Sequence, residues 1–127
     1  MLTFSFNHIA LSVKDVNISI KFYQKVFHLK EIENTASNSK TRWLSLGENK
    51  QLHLIPRPDS AIKTDKAVHF ALSTSDIDSF VKHLETLNIE YSDWPGIPNK
   101  VYVRKDGIQQ VYFKDPDGYW VEVNNAG

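Results

Sequence analysis

Four residues in this chain combine metal-ligating chemistry with one shared kind of placement: His8, His53, His69 and Glu122. His8 stands between Asn7 and Ile9, His53 between Leu52 and Leu54, His69 between Val68 and Phe70, and Glu122 between Val121 and Val123. Side chains alternate faces along a strand, so each of the four is expected on the face opposite its apolar neighbours. Three imidazoles and a carboxylate suit a divalent transition metal, because imidazole favours zinc, copper, iron or nickel and a carboxylate adds charge without demanding a soft ion. The expected cofactor is therefore a divalent metal, Zn, Ni, Mn, Co or Fe(II), with water or substrate completing its coordination. The chain has no cysteine, which excludes thiolate sites, disulfides and a cysteine nucleophile. His28 and His83 fall near expected helix ends, outside this pattern, and are read as facing solvent.

An internal repeat positions the four. Residues 8 to 21, HIALSVKDVNISIK, overlay residues 69 to 82, HFALSTSDIDSFVK, at an offset of 61, with six of fourteen positions identical. Each copy opens with a period-two strand, whose apolar positions are Ile9, Leu11 and Val13 in the first and Val68, Phe70 and Leu72 in the second. An Asp then stands at a helix N-cap, Asp15 or Asp76, followed by apolar residues at helical spacing: Val16, Ile20, Tyr23 and Phe27, then Ile77, Phe80, Val81 and Leu84. Three short strands follow each helix, predicted at 29–33, 42–46 and 51–55 and again at 89–94, 108–114 and 119–124. Under the repeat, His8 matches His69 on the opening strands and His53 matches Glu122 on the closing strands. Face-to-face packing of the two copies would bring all four side chains together.

The fold class is therefore α+β: paired βαβββ modules forming a curled mixed sheet with a cleft. One domain over residues 1–127 is expected, with repeat units at about 6–56 and 67–125, a linker at 57–66 and a longer loop, of the length that functional lids have, at 94–107. Fifteen basic residues balance fifteen acidic ones, so no net charge draws the chain to nucleic acid. Hydrophobic residues at 41% and aromatics at 12% support a packed core and argue against disorder. The first thirteen residues lack a basic segment and an unbroken apolar run, and no window reaches the roughly 20 apolar residues of a membrane span, so a cytoplasmic protein without a membrane partner is expected.

The segments NHIALSV, VHFALS and QQVYFKDPDGYWVEV resemble the vicinal oxygen chelate superfamily, which includes glyoxalase I, fosfomycin-resistance transferases, extradiol dioxygenases and bleomycin-resistance proteins. The resemblance spans nearly the whole chain, and its most specific part is F-x-DPDG-x-x-x-E, Phe113 to Glu122. It implies a metal cleft, a small-molecule substrate and a homodimer. In glyoxalase I the metal ligands occupy the strand positions that here hold His8, His53, His69 and Glu122. This chain departs from that enzyme at His53, where Glu or Gln is usual, and at Ser12 and Arg57, where an Arg and an Asn usually meet glutathione.

The resemblance leaves three activities open. A glyoxalase-type lyase or isomerase would use the metal as a Lewis acid on a substrate with vicinal oxygens, pass through an enediolate-like state and shuttle a proton on Glu122. An extradiol dioxygenase would hold iron through His8, His69 and Glu122 and use His53 as acid/base, with Tyr112 ten residues before the Glu. A resistance or ligand-binding protein would hold its ligand between aromatic walls. Trp43, Tyr112 and Trp120 fall by parity on the cleft side of their strands, and with Arg57 they form the expected substrate-binding set.

Overall fold

A computed structural model describes residues 1–127. Two compact units divide within the expected linker, Met1–Ile62 and Lys63–Gly127. The first contains β1 (His8–Val13), α1 (Val16–Phe27), β2 (Glu31–Ile32), β3 (Arg42–Gly47) and β4 (Lys50–Pro56). The second contains β5 (His69–Ser73), α2 (Ile77–Thr86), β6 (Tyr102–Val103), β7 (Gln109–Lys114) and β8 (Trp120–Asn124). Each unit carries one helix and one four-stranded mixed sheet, ordered β1-β4-β3-β2 and β5-β8-β7-β6. This is the α+β class and the βαβββ order that the repeat predicts. No helix is long and apolar enough to cross a membrane.

Local chemistry explains the elements. Asp15 caps α1 by accepting from the backbone N–H groups of Asn17 at 3.0 Å and Ile18 at 3.3 Å. The helix buries Ile20, Tyr23 and Val26 and ends at His28, which takes the left-handed conformation at φ 57°. Asp76 caps α2 through the Ser79 N–H at 3.0 Å and the Ser79 hydroxyl at 2.7 Å. Leu44, Leu52 and Leu54 are fully buried in the first unit, as are Val111 and Val121 in the second. Each such side chain stabilises its unit by about 1.5–3 kcal/mol. At the far edge of the first sheet the Arg42 guanidinium clasps Glu31 at 2.7 and 2.8 Å and reaches Asn17 of α1 at 2.7 Å. That clasp holds the Glu31 carboxyl below its ordinary value.

Two predicted features change. Val68 is not part of the second opening strand, which starts at His69, and its side chain is 76% exposed. The strand predicted at 89–94 reduces to two isolated bridges at Ser92, one with Pro98 and one with Tyr112, the latter matching the Ile32 pairing with Trp43 in the first unit. Pro95, Gly96 and Pro98 interrupt extension beyond it, since proline cannot donate to a ladder and fixes its own φ. The sheet is completed instead by Tyr102–Val103, inside the expected loop, paired with Gln110 and Gln109.

The DPDG segment is a turn that sets register. Asp115 is 5% exposed, and its carboxylate accepts from the N–H groups of Asp117 at 3.0 Å and Tyr119 at 2.9 Å. Gly118 sits at φ +88°, where a side chain is disfavoured. The resulting pairing places Tyr112 opposite Glu122. Gly118→Ala is expected to destabilise the protein by about 1–2 kcal/mol, seen as a lower urea midpoint at unchanged slope. Gly118→Asn should cost less, because asparagine tolerates the left-handed region; equal losses would mean that space beside Thr64, not backbone conformation, decides.

Candidate functional site

In the first unit, β1 and β4 run parallel with His8 beside Gln51 and Ala10 beside His53, so both imidazoles lie on one face. The antiparallel pairing of β3 with β4 sets Trp43 opposite His53. The three rings stack: Trp43 on His53 at 4.2 Å and 4°, His53 on His8 at 4.1 Å and 17°. The His8 Nδ1–H donates to Asn7 Oδ1 at 2.7 Å, leaving Nε2 with its lone pair. The His53 Nε2–H donates to Gln51 Oε1 at 2.8 Å, leaving Nδ1. Burial, and then the charge of His8, pull the His53 imidazole below its ordinary value of 6.5.

The second unit repeats the scaffold with different chemistry. His69 pairs with Trp120 and Ala71 with Glu122, the register of the first unit shifted by 69 along the closing strands (53 to 122, 43 to 112). His69 Nε2 lies 3.0 Å from Glu122 Oε1, with the His69 side chain 22% exposed and that of Glu122 7% exposed. The other carboxylate oxygen accepts from Gln110 Nε2 at 2.9 Å and Asn124 Nδ2 at 2.7 Å. The Tyr112 hydroxyl donates to Gln110 Oε1 at 3.0 Å. Burial, and then the charge of Glu122, push that phenol far above its ordinary value, so it stays protonated and remains a donor. Its ring stands edge-on to His69 at 5.6 Å.

The donor chemistry of this pair fits a divalent cation. His69 Nδ1 lies 2.9 Å from the Lys66 carbonyl, which can only accept, so Nδ1 carries the proton. His69 Nε2 and Glu122 Oε1 share a hydrogen bond at 3.0 Å. A divalent cation could take the place of that shared proton, since imidazole nitrogen and carboxylate oxygen are both donors to such ions. Two donors each about 2.1 Å from one ion at neighbouring corners of an octahedron lie roughly 3.0 Å apart, the separation seen.

The structure thus brings His8 to His53 and His69 to Glu122, one pair within each unit. Neither unit by itself gathers three ligating side chains. Trp43 and Tyr112 take their expected places on the ligating faces, and Trp120 lies on the same face of β8 as Glu122. Arg57 is exposed, with its guanidinium donating to the Pro56 carbonyl at 3.2 Å. The sequence reading passed over Gln110, Asn124, Asn7, Gln51 and Lys66. Strand parity carries a signal for Gln110, Asn124 and Gln51, each a polar residue two positions from a named ligand or aromatic on the same strand; Asn7, next to His8, falls on the other parity and is not marked by it. Lys66 lies in the linker, and its partners stand 26 to 28 residues away, so no local pattern marks it.

Paired βαβββ units, the second with a histidine on its opening strand and a carboxylate on its closing strand, define a class, and related sequences and structures agree with it. The sequence pattern of the Glyoxalase/Bleomycin resistance protein/Dioxygenase superfamily matches residues 5–123, and the chain belongs to that superfamily. It is 31% identical to Glyoxylase I 4 of Arabidopsis thaliana, over 96% of this chain and 71% of that protein. It is 30% identical to the metallothiol transferase FosB of Bacillus licheniformis, over 94% of this chain and 74% of that protein. In fold it is similar to the oxidase ChaP-H2, with a TM-score of 0.82 at 20% identity, over 99% of this chain and 96% of the other.

The stack makes His53 a pH-sensitive element of the first unit. Its folded value lies below its unfolded value, so the unfolded chain binds the proton first as pH falls. Stability from the neutral ring is full above the ordinary imidazole value and is lost as pH falls through the folded one. An NMR titration of the His53 ring should show a midpoint below 6.5. His8→Asn should raise that midpoint part of the way, because burial remains; a midpoint at or above 6.5 in the parent would contradict this account.

Proposed function

We propose that this chain is a metal-dependent enzyme of glyoxalase type, a lyase or isomerase acting on a small substrate with neighbouring oxygens. The ligand set is His8, His53, His69 and Glu122. The observation that carries the reading is the His69–Glu122 pair, an imidazole nitrogen and a carboxylate oxygen held 3.0 Å apart and each anchored from behind. A bound metal would supply Lewis-acid stabilisation of the negative charge that grows on the substrate oxygens. Glu122 Oε1, released from the ion as substrate binds, would take the proton from the carbon beside the carbonyl and return it to the neighbouring carbon. Gln110 and Asn124 hold Oε2 during that exchange, so the carboxylate moves a proton without turning. Trp43, Tyr112 and Trp120 form the aromatic wall of the substrate site, and Arg57 offers a charge for the substrate's polar end. Similarity to Glyoxylase I 4 supports this choice of chemistry.

The working form is a cytoplasmic homodimer in which the two units of each chain act as one domain. Each sheet ends on its opening strand, β1 or β5, and Val68 at the start of β5 is largely exposed. Such edges invite a second copy. In the shared site His8 and His53 come from one chain, His69 and Glu122 from the other.

The ring stack favours one second reading, an extradiol-type dioxygenase. Parallel rings at 4.1 Å cannot both aim in-plane lone pairs at one ion, so His53 joins His8 as a ligand only by turning out of the stack. Left in place, His53 is an acid/base beside iron held by His8, His69 and Glu122.

Metal titration with sedimentation tests both readings. About one divalent ion per chain is expected in a dimer, lost in a His69→Ala, Glu122→Ala double variant. His53→Ala should weaken metal affinity at least tenfold in the glyoxalase reading; unchanged iron affinity with collapsed catechol cleavage would select the dioxygenase. Turnover is assayed with hemithioacetals, catechols and fosfomycin. Full metal content in the double variant, or a metal-loaded monomer, would overturn the shared site.

A further inference from the structure

Lys66 occupies a cage of its own unit. Its ammonium lies 4.8 Å from the Trp120 ring centroid, 5.1 Å from Tyr112 and 5.4 Å from Trp94. It donates to the carbonyl oxygens of Asp93 and Trp94, both at 2.9 Å, and to the Ser92 hydroxyl at 3.4 Å. Three aromatic faces and two carbonyls are a strong fixture for a cation, since the negative face of each ring attracts the ammonium, more so as it loses water. The backbone of the same residue supplies the carbonyl that accepts the His69 Nδ1–H. That carbonyl belongs to the central peptide of a turn closed by the Val68 N–H on the Asp65 carbonyl at 2.8 Å, and central turn peptides are the ones free to reorient.

The duplication shows why such a fixture is needed. In the first unit the Nδ1 of His8 is held by the side chain of Asn7. The matching residue before His69 is Val68, which has no acceptor and is 76% exposed. We propose that Lys66 is a positioning residue: its caged ammonium pins the turn so that its carbonyl keeps the proton of His69 on Nδ1 and leaves Nε2 facing Glu122. The consequence for metal binding rests on the function proposed above; the placement of the proton does not.

The test uses the full chain, first without metal. Nitrogen-15 NMR of the histidine rings should show a protected Nδ1–H on His69 in the parent. Lys66→Met should lose that signal while circular dichroism shows the fold retained. Lys66→Arg, which keeps a cation for the cage, should restore it. Zinc titrations should then show about 10- to 100-fold weaker binding for Lys66→Met than for the parent or Lys66→Arg. A His69 proton on Nε2 in the parent, or an Nδ1–H signal unchanged in Lys66→Met, would overturn the proposal. Should Lys66→Met fail to fold, Ala67→Gly, which frees the turn peptide and keeps the cage, should weaken the same signal, and an unchanged signal there would also overturn it. If the Nδ1–H follows Lys66 as expected but zinc binds to no variant, the positioning role stands and the metal reading falls.

Discussion

The structure depends on the register of two parallel strand pairs, β1 with β4 and β5 with β8. A parallel pair has no hairpin to fix its alignment, and a slip of one residue moves every side chain to the other face. Burial supplies the alignment here. Leu52 and Leu54 on β4 and Val121 and Val123 on β8 lie within the cores, and only one register puts them there beside the apolar positions of β1 and β5. Once that is met, the residues between them have no freedom: His53 comes up beside His8 and Glu122 beside His69. The polar face is placed by the apolar one.

This coupling accounts for how much was legible. Alternation, caps and helical spacing are short-range signals, and they located both helices, the opening and closing strands and the faces of His8, His53, His69 and Glu122. The predicted strand at 89–94 failed because its β-type residues are followed by Pro95 and Pro98, and the isolated Ser92–Tyr112 bridge marks where the repeat would have placed a strand. Tyr102–Val103 is a strand only because Gln109 and Gln110 are there to pair with it. Lys66 was invisible for a related reason: its cage is assembled from β7, β8 and a loop.

The superfamily signature also has a physical reading. Phe113 is a core residue, Asp115 and Gly118 make the turn, and Glu122 lies four residues past the glycine. Of the four, three serve folding and one chemistry. A turn that fixes which residue of β8 stands opposite Tyr112 also fixes where the carboxylate stands, which is why the motif identifies the fold well and the reaction poorly.

The two units show what duplication leaves free. Backbone pairing is held in common, so His8 with His53 and His69 with Glu122 occupy equivalent positions. Their side chains have taken different partners. In the first unit a second imidazole and an indole can only stack, and burial then favours the neutral ring. In the second unit a carboxylate replaces that imidazole, and it needs donors of its own, found in Gln110 and Asn124 on the same face. The hold on the opening histidine has moved as well, from the Asn7 side chain to the Lys66 backbone. A change at one position of the closing strand therefore entails changes across the face: a stacked pair of rings on one sheet and a hydrogen-bonded imidazole–carboxylate pair on the other.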